Sequence, residues 1–142
     1  MRGFNSTGHL RSLPQCPPVQ VRDGKGFDLL GVTGRSGPQA VSFSGHAIGL
    51  DEICMEPGTR FDMHEHEGDH ILYVLDGEGA IWIGGSLYPL KQGDSVFVPA
   101  ECPHGVTTAQ GCDSVFRFLA FGVPHHPLDD DHRMRLVETH EV

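Results

Sequence analysis

The stretch that decides the fold runs Gly58-Thr59-Arg60-Phe61-Asp62-Met63-His64-Glu65-His66-Glu67-Gly68-Asp69-His70-Ile71-Leu72-Tyr73-Val74-Leu75-Asp76-Gly77. His64 and His66 are two residues apart, and on a β-strand residues i and i+2 face the same way. Both imidazoles therefore reach toward one point. Residues 67–69 break the strand, and residues 70–75 read as a second, strongly apolar strand that stops at Asp76-Gly77. If the two strands are neighbours, His70 arrives near the same point. A fourth histidine, His104, follows Pro99 and Pro103 at the head of another short strand. Four neutral imidazoles carried on strands form a donor set suited to a first-row metal ion such as zinc, copper, iron or nickel.

Outward from this stretch the same rhythm continues. Residues 48–55 read as a strand ended by Glu56-Pro57-Gly58. Residues 80–83 end at Gly84-Gly85, a hairpin signal, and 86–90 follow. Further strands are expected at 95–98, stopped by Pro99, and at 105–108 and 114–121. Residues 41–44 also alternate in strand fashion. Many short strands with a turn every 8–12 residues indicate an all-β sandwich or barrel. The 19 glycines and 10 prolines suit such tight turns better than a helical bundle. Residues 1–39 are rich in proline, glycine and serine and read as an irregular arm, with short edge strands around 19–21 and 27–32. The expected organisation is therefore an N-terminal arm at 1–39, a barrel at 40–123 and a C-terminal tail at 124–142. The tail reads as one helical turn or a surface segment.

The spacing carries a family resemblance. Gly58, then five residues, His64-x-His66, three residues, His70, six residues and Gly77 resemble the first motif of the cupin superfamily. Gly93, then five residues, Pro99, Ala100, Glu101, two residues and His104 resemble the second. The likeness covers roughly residues 40–121. It implies a single-domain, RmlC-like cupin, a jelly-roll β-sandwich or barrel. It also implies one divalent transition metal ion per subunit on His64, His66, His70 and His104, with zinc favoured over manganese, iron, nickel or copper. His70 stands where most cupins place a glutamate, so the chain resembles the four-histidine subgroup. Glu101 replaces the usual glycine of the second motif, and Thr108 stands where that motif often ends in asparagine.

Composition narrows the function. A chain of 142 residues suits one domain with one core. Its net charge of −9 argues against nucleic acid as a partner, since lysine and arginine carry that binding. No apolar run approaches the ~18–20 residues of a membrane span, and no apolar secretory segment is seen, so a cytoplasmic protein without a membrane partner is expected. The four cysteines, Cys16, Cys54, Cys102 and Cys112, form no C-x-x-C pair and read as reduced thiols. His9, His46, His125, His126, His132 and His140 fall in tails or loops and read as ligand-free.

The resemblance leaves three functions open, all with a small-molecule partner. An all-histidine site leaves a divalent ion its full charge, which favours Lewis-acid chemistry on carbonyl and enolate oxygens, as in the cupin cyclases of aromatic polyketide pathways. A small dioxygenase that activates O2 at iron, manganese, copper or nickel is the second reading. A non-catalytic binding or sensor module is the third. Metal-bound water is the simplest acid or base. Asp62, which shares the parity of His64, and Glu101 are further candidates, although Asp62 reads equally well as a surface acid. Leu72, Val74, Trp82, Phe97, Phe116 and Phe118 are candidate pocket walls, each of which plain core packing would also explain. Cupins commonly pair through barrel faces and N-terminal arms. That makes residues 1–39 a candidate homodimer contact, with a free-standing monomer as the alternative.

Overall fold

A computed structural model describes residues 3–130 and 133–137. Two antiparallel sheets face each other. One has the strand order β1-β2-β3-β10-β5-β8 and the other β11-β4-β9-β6-β7. In chain order the strands are β1 (Val19–Arg22), β2 (Asp28–Val41), β3 (Ala47–Met55), β4 (Arg60–Glu65), β5 (Asp69–Asp76), β6 (Glu78–Ile83), β7 (Ser86–Lys91), β8 (Ser95–Val98), β9 (His104–Thr108), β10 (Phe116–Val123) and β11 (Arg135–Leu136). The only helical turn among the described residues is a 3-10 segment, Leu13–Gln15. No helix among them is long and apolar enough to cross a membrane. The architecture is a nearly all-β sandwich of the expected class.

Alternation builds the interior. On β10, Phe116, Phe118 and Ala120 are buried while the residues between them are more exposed. Their cross-strand neighbours on β3 and β5 include Met55, Ile53, Val74 and Leu72. From the opposite sheet come Phe61, Ile81, Leu90 and Val106, which close one continuous core. Period-2 burial of this kind allows a single buried face per sheet. Two turns fix the connections. Gly77 has φ +80°, and a Cβ there would lie 2.3 Å from the Val115 carbonyl oxygen, so only glycine passes. Thr108 Oγ1 accepts the Gly58 N–H at 3.0 Å, which ties the turn before β4 to the end of β9. The motif's departure to threonine thus serves the turn.

The ends of the chain differ from expectation. The boundary at residue 40 falls inside β2, a 14-residue strand lying between β1 and β3. Its Gly37-Pro38 pair sits where the β2–β3 register shifts, between Ser36 and Gln39. A bulge tolerates a residue with no N–H, so a glycine- and proline-rich stretch can still form a strand. Val41 is the last residue of β2, and the chain turns back at once, with the Ser42 N–H donating to the His46 carbonyl at 2.6 Å. The strand-like alternation at 41–44 is therefore a turn. The C-terminal segment is not a surface tail either. Leu128 and Met134 are buried in the core, and β11 pairs with β4. Leu128 packs on Gly34, where a Cβ would come within 2.6 Å of its Cδ1. Residues 131–132 and 138–142, which include His132 and His140, lie outside the described residues.

Phe116 is completely buried, and its ring packs 5.3 Å from that of Phe118. Truncation to alanine leaves a cavity that two sheets cannot collapse to fill. Phe116→Ala is expected to lower the unfolding free energy by about 3–5 kcal/mol, measured by urea denaturation with an unchanged slope.

Candidate metal centre

β4, β5 and β9 deliver the four motif histidines to one end of the core. His64 on β4 lies directly opposite His104 on β9, with ring centroids 4.3 Å apart. His66 follows at the end of β4, its ring 5.3 Å from His64, 4.7 Å from His104 and 4.0 Å from His70. His64, His66 and His104 are all buried and offer one ligand atom each, all within 4.8 Å of one another. Among the described residues these three make the group competent to hold a metal ion. His70 stands at its edge, outside that triad. Its ring lies against Gly122, where a Cβ would sit 2.8 Å from His70 Nε2, so a glycine at 122 is what lets the imidazole occupy this place.

The backbone sets the tautomers. His64 Nδ1 meets the Asp62 carbonyl at 2.7 Å, His70 Nδ1 the Gly68 carbonyl at 3.0 Å, and His104 Nδ1 the Cys102 carbonyl at 2.9 Å. A carbonyl oxygen only accepts, so each Nδ1 carries the proton and each Nε2 keeps its lone pair. That is how outer hydrogen bonds prepare histidine for a metal. His66 differs: its Nδ1 is buried without a partner, and its orientation comes from the rings packed around it. The donor set therefore fits a divalent transition metal, with neutral nitrogen donors closely grouped and their lone pairs free.

A narrow cavity of about 30 Å³ opens beside these rings. Its apolar walls are Ile53, Phe61, Leu72, Val98, Val106, Phe118 and Ala120, and Arg133 completes it. Of the expected walls, Leu72 and Phe118 line this space. Val74 and Phe116 share their inward parity but lie deeper, in the packed core. Phe97 is 56% exposed, paired across the ladder with the outward Ile71. Trp82 neighbours the fully buried Ile81 along β6, so its ring takes the outer face.

The two acid candidates also point elsewhere. The β4–β9 register shifts between Phe61 and His64, where three steps on β4 match two on β9. This bulge turns both Phe61 and His64 inward and breaks the parity that linked Asp62 to His64. The Asp62 side chain is exposed and pairs with Arg60 Nε at 2.9 Å. Its contribution to the site is its main-chain carbonyl. Glu101 is exposed and adopts φ +60°, the left-handed conformation that explains why glycine is usual there. Its N–H donates to the His66 carbonyl at 2.8 Å. Asp69 Oδ1 accepts the Ala100 N–H at 2.8 Å and so pins the second motif's turn to the first. His125, read as ligand-free, buries its side chain, with Nε2 2.9 Å from Asp51 Oδ2. Phe61 and Arg133 were missed in the sequence. The bulge hid the first, and an arginine far from either motif carries no local signal.

All four imidazoles are held below the usual histidine range. Burial is the main cause for each, and it holds His70 at about 4. Neighbouring imidazoles and Arg133 push in the same direction. The site is neutral at pH 7 and ready to ligate. In the unfolded chain each imidazole takes a proton near pH ~6.5, while in the fold it does so only at lower pH. The unfolded state thus binds more protons in that window, and stability falls as the pH drops. Chelator-treated protein should lose unfolding free energy steadily from pH 6.5 down to about 4, the value at which His70 protonates in the fold. His70→Gln should flatten part of that slope in urea titrations across the range.

Comparisons with known proteins agree with this geometry. Residues 51–120 match the family model described as the cupin domain. Over 65 residues the chain is 26% identical to an uncharacterised protein of Methanocaldococcus jannaschii, an overlap covering 45% of this chain and 52% of that one. The chain thus spans about half the length of the curated relative it matches. The fold resembles an RmlC-like cupin from Shewanella frigidimarina, with TM-score 0.64 and 21% identity over 82% of this chain and 91% of that one. It also resembles the polyketide cyclase RemF from Streptomyces resistomycificus, with TM-score 0.67 and 22% identity over 91% of this chain and 84% of that one. At such identities the likeness is one of fold. With both motifs in order, their histidines gathered at one end of a two-sheet sandwich, and the family match across its centre, the chain belongs to the cupin superfamily.

Proposed function

We propose that the protein is a metal-dependent enzyme of the cyclase or isomerase type, acting on a small molecule rich in carbonyl groups, aromatic or polyketide-like. The observation that carries this reading is the neutral, all-nitrogen donor set: three grouped imidazoles with a fourth, His70, beside them, and no carboxylate among the described residues that line the cavity. On this reading His70 is the fourth donor. A divalent ion held there, zinc above all, supplies a Lewis acid with undiminished charge for a carbonyl or enolate oxygen.

The chain's own residues do the rest. The Asp62, Gly68 and Cys102 carbonyls hold three imidazoles in one tautomer and so fix where their lone pairs point. Phe61, Leu72, Val106 and Phe118 form an apolar wall that excludes water and strengthens every electrostatic contact inside. The likeness to a polyketide cyclase supports the fold, and the donor chemistry supports the reaction class.

Protein purified without added metal should contain close to one equivalent of zinc by elemental analysis, and His64→Ala should lose it. His70→Glu should keep the metal but lose turnover, because a carboxylate ligand lowers the net charge of the site. Iron, manganese, copper or nickel together with oxygen uptake at an electrode would replace this reading with an oxygenase. Absence of metal from both proteins would leave a binding module.

A further inference from the structure

Residues 124–130 and 133–137 pack back onto the sandwich as a strap. The His125 N–H donates to the Ala47 carbonyl at 3.0 Å, Leu128 and Met134 are buried, and the Val137 N–H donates to the Met63 carbonyl at 3.0 Å. Between these anchors sits Arg133, the one lysine or arginine among the described residues lining the histidine cavity. Its N–H donates to the Asp130 carbonyl at 3.1 Å, which fixes its backbone. Its positive charge acts on all four imidazoles.

Among the described residues, no carboxylate lies within ion-pair distance of the Arg133 guanidinium. Asp51, whose charge does reach it, is engaged by His125 Nε2 at 2.9 Å through Oδ2, and its Oδ1 is buried without a partner. Other arginines of the chain behave differently. Arg35 and Arg117 share Glu52, Arg60 takes Asp62, and Arg135 takes Glu65. Arg133 is half-buried among the residues that line the cavity, and among the described residues its guanidinium has no ion-pair partner. Its planar fork is suited to a carboxylate or another two-oxygen anion.

We propose that Arg133 is the substrate-recognition residue of the histidine cavity and that it selects a small molecule bearing a carboxylate or an equivalent oxyanion. The assignment takes the place of the substrate from the metal-centre reading, while the guanidinium's demand for an anion stands on its own surroundings. The strap thereby supplies a specificity element that neither cupin motif contains. A neutral carbonyl compound offers the fork nothing that water does not.

The probes are acetate and its neutral isostere acetamide, titrated into zinc-loaded and chelator-treated protein and followed by NMR shifts, with zinc content measured alongside. Chelator-treated wild type is expected to bind acetate about tenfold more tightly than acetamide. Arg133→Gln should abolish that preference with zinc uptake unchanged, which shows the fold and the ligands intact. Arg133→Lys should restore part of it, since the charge returns without the fork. Equal affinity for the two probes in chelator-treated wild type, or a preference that survives Arg133→Gln in that form, would overturn the assignment. If wild type takes up no zinc yet keeps its acetate preference, the metal-centre reading fails and the role of Arg133 in anion recognition stands.

Discussion

Four imidazoles can share one buried volume only while they stay neutral, and much of the site's architecture serves that condition. A protonated His66 would face burial, three neighbouring rings and Arg133 together. The fold instead gives three of the four imidazole protons a defined acceptor. The carbonyls of Asp62, Gly68 and Cys102 each stand two residues before the histidine they serve, so the local backbone that carries each imidazole also selects its tautomer. This arrangement needs no second-sphere carboxylate, and among the described residues none lines the cavity. The cost appears at His66, whose Nδ1 is buried and unpartnered. That imperfection sits among the rings that would share a metal ion, the place where an incomplete polar network is most readily explained by a ligand.

Most of the central fold was legible because strand and turn signals agreed. Segments with clear alternation and a glycine or proline stop, such as 70–77 and 95–99, form strands close to the positions read for them. Motif spacing located the histidines because i, i+2 geometry survives wherever a strand is regular. It left Asp62 open between cavity and surface because the β4–β9 ladder bulges between Phe61 and His64, and a bulge inverts parity without changing composition. Phe97 and Trp82 went astray for a related reason. Aromatic character marks a good strand residue on either face, and only the register tells inside from outside.

The two ends were obscure for opposite reasons. In the first 39 residues, glycine and proline suggested an irregular arm, yet β2 absorbs Gly37 and Pro38 at a break in its pairing with β3. The last residues offered almost no period at all. Their structure comes from long-range contacts: Leu128 over Gly34, His125 on Asp51, and a two-residue strand beside β4. Such contacts depend on partners distant in the chain, and local reading has no access to them.

The strap also changes what the cavity can be. Without it, the histidine end of the sandwich would present an apolar mouth lined by Phe61, Leu72 and Phe118, suited to any flat hydrophobic molecule. With it, the same cavity is lined by a cation, Arg133, together with the neutral nitrogen cluster. A divalent ion held by that cluster and the Arg133 guanidinium would be two positive centres in a cavity of about 30 Å³. Like charges so placed repel, and a ligand that brings anionic oxygens to both relieves that repulsion. Complementarity of this kind discriminates by charge before shape. A molecule with oxygens at both ends of a short carbon unit satisfies it, whereas a neutral molecule of the same outline leaves the repulsion in place. On the proposed reading the motif histidines define the chemistry available, and Arg133 on the C-terminal segment selects the molecules that reach it.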